Sequence, residues 1–183
     1  GCTAASFIAG PAAENALAQE LAAATGTPVV TTARAMVLAL QDAAAQDIRG
    51  AAQFLKSRGG KVGVTGYCMG GALTVLSMVM VPEADAGVVW YGFPPLEFVD
   101  ASKIKGPMIA HWAEQDAAFP IATVDALEEK LRAANVSYTG YRYLAQHGFA
   151  NETAQGPRRL PITQYDAAWA QTAWDRTFSF FGK

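Results

Sequence analysis

Short β-type segments alternate with helical segments along this 183-residue chain, and the alternation limits the folds that it can adopt. Two β-type segments, GVVWYG at 87–92 and MIAHWA at 108–113, are apolar throughout, as expected for strands buried on both faces. We therefore expect an α/β fold, a three-layer sandwich around five mostly parallel strands, in a flavodoxin-like arrangement. The predicted strands are 28–32, 61–66, 86–91, 108–112 and 138–144; the predicted helices are 11–25, 35–58, 69–81, 121–134 and 164–181.

The composition is that of a globular chain. Hydrophobic residues make up 51% and charged residues 16%, which excludes a disordered chain. The net charge is −2 and no basic block exists, so we expect no nucleic-acid partner. No apolar run reaches the roughly 18 residues that a membrane helix requires. Two cysteines, Cys2 and Cys68, make no disulfide framework and fit a cytoplasmic compartment. A single domain over 1–183 is expected.

The segment Gly66-Tyr67-Cys68-Met69-Gly70-Gly71 joins a predicted strand directly to a predicted helix. This is the G-x-nucleophile-x-G pattern, here with a cysteine as the nucleophile. Gly66 and Gly70 are expected to remove Cβ atoms where strand and helix crowd together. The helix N-terminus would lower the pKa of the Cys68 thiol, and the backbone N–H of Met69 would be one oxyanion donor. The alternative is a buried structural cysteine in a glycine-rich turn.

A cysteine nucleophile needs a base, and the chain has two histidines. His147 follows the last predicted strand, where catalytic groups gather in parallel sheets, whereas His111 lies inside a strand and is expected to be a core residue. Asp116 follows another strand end and is the candidate that orients the base; Glu114 is its competitor. The order Cys68, Asp116, His147 is the nucleophile–acid–base order of α/β hydrolases.

Residues from about 41 to 183 resemble the dienelactone hydrolase family, also called carboxymethylenebutenolidases. The matching segments are KVGVTGYCMGGAL, AEQDAAFP, QHGFANE and YDAAWAQTAWDRTFSFF. The resemblance implies that Cys68 is the nucleophile, that Asp116 orients the base and that His147 is the base. It also implies hydrolysis of a small-molecule ester or lactone with no metal and no organic cofactor.

The resemblance departs from the family at two places. Family members begin with further strands that supply the second oxyanion N–H, and no such segment is recognised before the helical residues 43–56. We therefore expect weak hydrolysis, from a truncated α/β-hydrolase fold whose uncovered sheet edge would favour a homodimer. An arginine that binds the substrate carboxylate in well-studied members is replaced by Asn151, although Arg158 and Arg159 lie nearby.

Residues 1–41 resemble a different group, the aspartate/glutamate racemase superfamily, especially maleate isomerases and arylmalonate decarboxylases. The matching segments are GCTAASFIAG and ATGTPVVTT, and all four Trp and all six Tyr lie at or beyond Tyr67. The resemblance implies that Cys2 was a catalytic thiol in its source. The two resemblances together suggest a chimera whose fusion lies inside the predicted helix 35–58.

Three functions compete at this point. The first is a cysteine-dependent hydrolase of esters or lactones that uses Cys68. The second is an engineered or recombined fold chimera without efficient catalytic activity. The third is a racemase-like enzyme that uses Cys2, which would need a second catalytic cysteine that the chain does not supply.

Overall fold

The computed structural model describes residues 29–182, with side chains from residue 43 onward. Its helices are α1 Val29–Ser57, α2 Met69–Met80, α3 Ile121–Ala133 and α4 Ala167–Phe181; its strands are β1 Gly63–Tyr67, β2 Ala86–Trp90, β3 Met108–Ala113 and β4 Tyr138–Tyr143. Two short 3-10 helices, Leu96–Phe98 and Ala101–Lys103, lie between β2 and β3. The chain divides into two compact units, Gly1–Ala44 and Ala45–Lys183, and the sheet and the site belong to the second.

The described strands form one sheet in the order β1-β2-β3-β4, and every pairing is parallel. The α/β fold with a parallel sheet is thus confirmed, with four strands in the described part instead of the five predicted. The predicted fifth strand, 28–32, is wrong from residue 29 onward, because α1 begins at Val29. The β-branched pair there is followed by a long alanine-rich helical pattern, and the continuing helix overrides the strand preference of a short segment. The predicted helix 11–25 lies outside the described residues.

Side chains on β3 alternate between two hydrophobic clusters, one on each face of the sheet. Trp112 packs in the cluster on the face that carries α2 and α3. Ile109 and Ala113 pack in the opposite cluster, together with Ala173 of α4. All six residues of β3 are buried, as the apolar run predicts for a strand with helices on both sides.

Two carboxylates join α1 to the start of the sheet. Asp85 accepts the backbone N–H of Val62 at 2.5 Å and forms an ion pair with Lys56 at 2.6 Å. Glu83 forms an ion pair with Arg49 at 3.1 Å. These contacts fix the last turns of α1, residues 49–56, beside the amino end of β1, opposite the edge at which the strands end.

Helix α4 begins at Ala167 because Asp166 is its N-cap: the Asp166 carboxylate accepts the backbone N–H of Trp169 at 3.0 Å. None of the helices within residues 29–182 is both long and apolar enough to cross a membrane.

Candidate active site

Cys68 lies in a strained turn between β1 and α2. Its backbone φ is 55° and ψ is −114°, a conformation that non-glycine residues rarely adopt. The turn is held by two backbone hydrogen bonds, from the Cys68 N–H to the Trp90 carbonyl at 2.9 Å and from the Ala72 N–H to the Cys68 carbonyl at 3.1 Å. The side chain of Cys68 is exposed at the edge where the parallel strands end.

Glycines let three backbone segments meet at this turn. A Cβ on Gly66 would overlap the carbonyl of Gly70, so the prediction for Gly66 is confirmed. The prediction for Gly70 is wrong, since a Cβ there would meet nothing within 4 Å. Gly71 is the crowded position instead: its Cβ would lie 2.7 Å from the carbonyl oxygens of Trp90 and Gly92. The cause is that the first turn of α2 packs against the end of β2.

His147 and Asp116 lie beside this turn and are hydrogen bonded to each other. His147 Nδ1 lies 2.8 Å from Asp116 Oδ2, and both residues are buried. The other carboxylate oxygen of Asp116 accepts the backbone N–H groups of Ala118 at 2.8 Å and Phe119 at 3.0 Å. Because an ionised carboxylate only accepts, Nδ1 carries the proton and Nε2 is free to face another group.

That other group is the thiol. Interaction with His147 lowers the pKa of Cys68 below its ordinary value, against an opposing effect of burial. The backbone of Met69 lowers the pKa further. Since Nδ1 is occupied by Asp116, Nε2 is the ring nitrogen available to the sulfur. The structure thus brings the three predicted site residues together, with Asp116 bonded to His147 and His147 beside Cys68.

The protonation of His147 reflects the same contacts. Burial favours the neutral ring, but the hydrogen bonds to Asp116 and Cys68 outweigh it and raise the pKa of His147 to about 9. A raised histidine pKa together with a lowered cysteine pKa favours a thiolate–imidazolium pair at neutral pH.

The loop that carries His147 is fixed by a second segment of chain. His147 forms an isolated parallel bridge with Thr163, and its carbonyl accepts the N–H of Gln164 at 3.1 Å. Arg159 holds that second segment in shape, because its Nη1 donates to the carbonyls of Leu160 at 3.2 Å, Pro161 at 3.0 Å and Thr163 at 2.6 Å.

The residue that replaces the family arginine is engaged locally. Asn151 Oδ1 accepts the N–H of Thr153 at 3.0 Å and its hydroxyl at 2.8 Å, which closes a turn. Arg159 is occupied by the carbonyls described above, whereas Arg158 is exposed. Asn151 and Arg159 therefore shape the loop around His147 through these contacts.

The remaining candidates lie elsewhere. His111 is fully buried: its Nδ1 lies 2.9 Å from the Tyr143 hydroxyl and its Nε2 lies 2.9 Å from Thr177 Oγ1. Burial lowers the pKa of His111 to about 3, so it is a neutral core residue, as expected. Glu114 is exposed, and Asp116 is the carboxylate that bonds His147. Cys2 lies outside the described residues.

Two aromatic residues at the site were not anticipated from the sequence. Tyr91 packs edge-on to the His147 ring with centroids 5.1 Å apart, and Phe119 stacks on it at 5.8 Å. Tyr91 has a positive φ of 36° and directly follows β2. Tyr91 is the last residue of the predicted strand 86–91 and Phe119 lies in the segment AEQDAAFP, but neither was assigned a role at the site. Among the described residues, no group of three or more His, Cys, Asp or Glu side chains is arranged to hold a metal ion.

Two features of this chain define an α/β hydrolase. One is a parallel sheet with helices on both faces, and the other is a strand–turn–helix segment beside a buried Asp–His pair. The sequence profile of the dienelactone hydrolase family matches residues 15–183. The chain therefore belongs to the dienelactone hydrolase family. The match extends the predicted boundary from about residue 41 to residue 15 and includes most of the segment that resembled a racemase. It gives no support to a racemase segment or to a chimera.

Individual proteins agree with this assignment. A protein of Methylorubrum extorquens provisionally named carboxymethylenebutenolidase is 31% identical over 149 residues, 74% of this chain and 48% of its own length. Protein usf of Aquifex pyrophilus is 35% identical and is matched over 66% of this chain and 50% of its own length. The chain thus spans about half the length of these curated relatives.

A solved structure gives the same result. The crystal structure of a protein provisionally named dienelactone hydrolase from Klebsiella pneumoniae superimposes with a TM-score of 0.63 at 26% sequence identity. The superposition covers 75% of this chain and 59% of that one.

Proposed function

We propose that this chain carries the reaction centre of a cysteine-dependent hydrolase of small esters or lactones. Cys68 is the nucleophile, His147 transfers protons, Asp116 orients His147, and the Met69 N–H binds the oxyanion. The observation that supports this assignment is the buried Asp116–His147 hydrogen bond beside the strained turn of Cys68, where interaction with His147 lowers the pKa of the thiol. A nucleophile bonded to a base that is itself oriented by a third group is the arrangement that covalent catalysis requires.

In the first half of the reaction, the Cys68 thiolate attacks the substrate carbonyl carbon and forms a C–S bond. The carbonyl oxygen becomes an oxyanion, which the Met69 N–H would bind, because Met69 directly follows Cys68 and is the first residue of α2. The tetrahedral adduct then expels the alkoxide, which takes the proton of the His147 imidazolium. The products of this half are a free alcohol and an acyl thioester on Cys68.

In the second half, neutral His147 takes a proton from water as the water oxygen attacks the thioester carbonyl. The C–S bond breaks, the carboxylic acid leaves, and the thiolate–imidazolium pair is restored. Asp116 keeps the proton of His147 on Nδ1, so that Nε2 is the nitrogen that exchanges protons. In a lactone the leaving alkoxide and the acyl group belong to one molecule, so one ring opens per turnover.

The experiment is a p-nitrophenyl acetate assay on the chain, on Cys68→Ala and on Cys2→Ala. We expect Cys68→Ala to fall to the rate of the buffer, because the attacking sulfur is gone, and Cys2→Ala to keep the original rate. Equal rates for the original chain and Cys68→Ala would refute the proposal. Loss of activity in Cys2→Ala alone would instead show that Cys2 is the reacting thiol.

The second candidate, a recombined fold without efficient activity, makes a different prediction for the thiol. In an inactive scaffold, Cys68 would react with iodoacetamide no faster than a model thiol at the same pH. The hydrogen bonds from His147 and Met69 that lower the pKa of Cys68 favour the catalytic function instead.

A further inference from the structure

The ring of His147 has more freedom than its one hydrogen bond to Asp116 can remove. A single bond at Nδ1 fixes the distance to the carboxylate, but it leaves the imidazole able to tilt about that contact. The reaction proposed above needs Nε2 to stay aligned with Cys68, because proton transfer depends on hydrogen-bond distance and direction. Something else must therefore hold the plane of the ring.

The ring plane is in contact with two aromatic side chains. Phe119 lies almost parallel to His147, with centroids 5.8 Å apart and planes inclined by 23°. Tyr91 meets His147 edge-on, with centroids 5.1 Å apart and planes inclined by 67°. A stacked ring opposes tilting of the imidazole, and an edge-on ring opposes its sideways movement. The π face of Phe119 also favours a positively charged imidazolium.

Phe119 itself is held by the core. Its ring packs against Phe93 at 5.4 Å, and Phe93 packs edge-on against Trp112 at 5.8 Å. Trp112 is fully buried and donates its indole N–H to the Tyr138 hydroxyl at 2.8 Å. Four rings thus connect the interior of the sheet to His147.

Phe119 lies in the same loop as Asp116 and affects His147 in two ways, one through its backbone and one through its side chain. The backbone N–H of Phe119 fixes Asp116 Oδ1, whereas its side chain packs on the imidazole. A change of the Phe119 side chain therefore removes the ring contact and leaves the backbone hydrogen bond in place. A Phe119 variant can thus test the ring contact with His147 without removing the backbone hydrogen bond to Asp116.

We propose that Phe119 is a positioning residue: its ring holds the imidazole of His147 in the plane in which Nδ1 bonds Asp116 and Nε2 bonds Cys68. This inference rests on the function proposed above and extends it to a residue that does not contact the reacting atoms. The titratable groups that face His147 are Asp116, Cys68 and the phenol of Tyr91, and none of them changes in a Phe119 variant.

The test is the pH profile of Cys68 alkylation by iodoacetamide, measured in a Cys2→Ala background so that one thiol is left. In Phe119→Ala we expect the midpoint to rise by about half a pH unit or more, since a tilted ring bonds the thiolate less well. We expect kcat for p-nitrophenyl acetate to fall about tenfold with KM within about twofold, because misplacement of a catalytic group lowers the rate more than binding. Phe119→Tyr keeps the ring and should keep the original profile.

Phe178→Ala is the matched control, because it removes an exposed ring that stacks on Trp174 and makes no contact with His147. An unchanged profile and kcat in Phe119→Ala, or a rise in KM alone, would overturn the inference. If Phe119→Ala does not fold, Phe119→Leu against Phe119→Tyr replaces it, and equal midpoints in that pair would also overturn it. The alkylation profile reports the position of His147 even in a chain without esterase activity, so the two proposals fail separately.

Discussion

The backbone of Gly92 packs directly against the carbonyl of Cys68, so closely that any Cβ at position 92 would overlap it. The strained turn of Cys68 is therefore supported by the residue that follows Tyr91, just beyond the end of β2. Strands β1 and β2 pair in parallel, with their last residues Tyr67 and Trp90 opposite each other. The position of Cys68 is thus set by two adjacent strand ends and not by its own turn alone.

The first prediction concerns this contact. Gly92→Ala should destabilise the fold by about 1–3 kcal/mol, the usual cost of overpacking, and should lower the rate of Cys68 alkylation because the turn must shift. Gly50→Ala is the control: a Cβ there meets nothing, and alanine in a helix interior should stabilise by about 0.5–1 kcal/mol. Urea denaturation and iodoacetamide kinetics measure the two effects. An unaffected Gly92→Ala would show that this contact does not hold the turn.

The second prediction is the pH dependence of ester hydrolysis. The pKa of Cys68 is lowered, so the thiolate fraction and the rate should already be high at neutral pH and should decrease on acidification. The pKa of His147 is raised to about 9, so the rate should also fall above that pH, where the ring loses the proton that the leaving group needs. In His147→Ala the alkylation midpoint of Cys68 should move up toward that of an ordinary thiol. A midpoint that does not move would contradict the pairing of these two residues.

The third prediction concerns Asp116→Asn. The Asn oxygen can keep the backbone hydrogen bonds of Ala118 and Phe119, which leaves the amide N–H₂ facing His147 Nδ1. Two donors then meet, so the imidazole changes tautomer and Nε2 can no longer take a proton from water. We expect kcat to fall roughly 10²-fold or more. Asp125→Asn, on the exposed ion pair with Arg142, should leave kcat within about twofold. Similar rates for both variants would show that Asp116 does not orient the base.

The fourth prediction concerns stability at acid pH. Burial holds the pKa of His111 at about 3 in the folded chain, against an ordinary value of 6.5. Below pH 6.5 the unfolded chain therefore binds a proton at this position that the folded chain does not, and the free energy of unfolding should fall between pH 6.5 and about 3. The slope contributed is at most about 1.4 kcal/mol per pH unit. Urea midpoints of the original chain and of His111→Gln between pH 7 and 4.5 measure it. Equal slopes in the two proteins would contradict this assignment.

The fifth prediction separates stability from catalysis. Asp85 accepts the Val62 N–H and pairs with Lys56, and these contacts lower the pKa of its carboxyl. Asp85→Ala should destabilise by about 1–3 kcal/mol, because it leaves a backbone N–H without its acceptor. The kcat for p-nitrophenyl acetate at 25 °C should stay within about twofold, since Asp85 lies at the opposite end of the strands from Cys68. Thermal melts and initial rates on the same samples test both statements.

The sequence predicted those elements that have strong local signals. KVGVTG before a glycine-rich turn placed β1 to within two residues and α2 to within one, and the apolar run 108–112 placed β3. The segment 28–32 was misjudged because its β-branched residues favour a strand over a short window, whereas the long pattern that follows makes them the start of α1. The start of α4 was placed three residues early, because the carboxylate of Asp166 decides it and competing polar residues precede it.

At the candidate site, the order and the spacing of Cys68, Asp116 and His147 sufficed to predict which residues come together. The sequence did not reveal the contacts between residues that are distant in the chain and adjacent in the fold. Gly92 and Tyr91 matter because β2 lies beside β1, and Phe119 matters because its loop folds back over His147. Glycine crowding was assigned to Gly70 in place of Gly71 for the same reason, since the crowding partner is the end of β2. A single domain and a homodimer stay predictions.

The peptide bond after Arg159 is a site at which proteolysis can measure local opening of the chain around His147. The Arg159 guanidinium donates hydrogen bonds to three carbonyls that follow it in the chain, so the backbone after Arg159 is held in a compact conformation. A protease can cut only a segment whose backbone is extended over several residues. Trypsin cleavage after Arg159 therefore requires the segment that pairs with His147 to open. The rate of that cut would measure how often His147 loses its support.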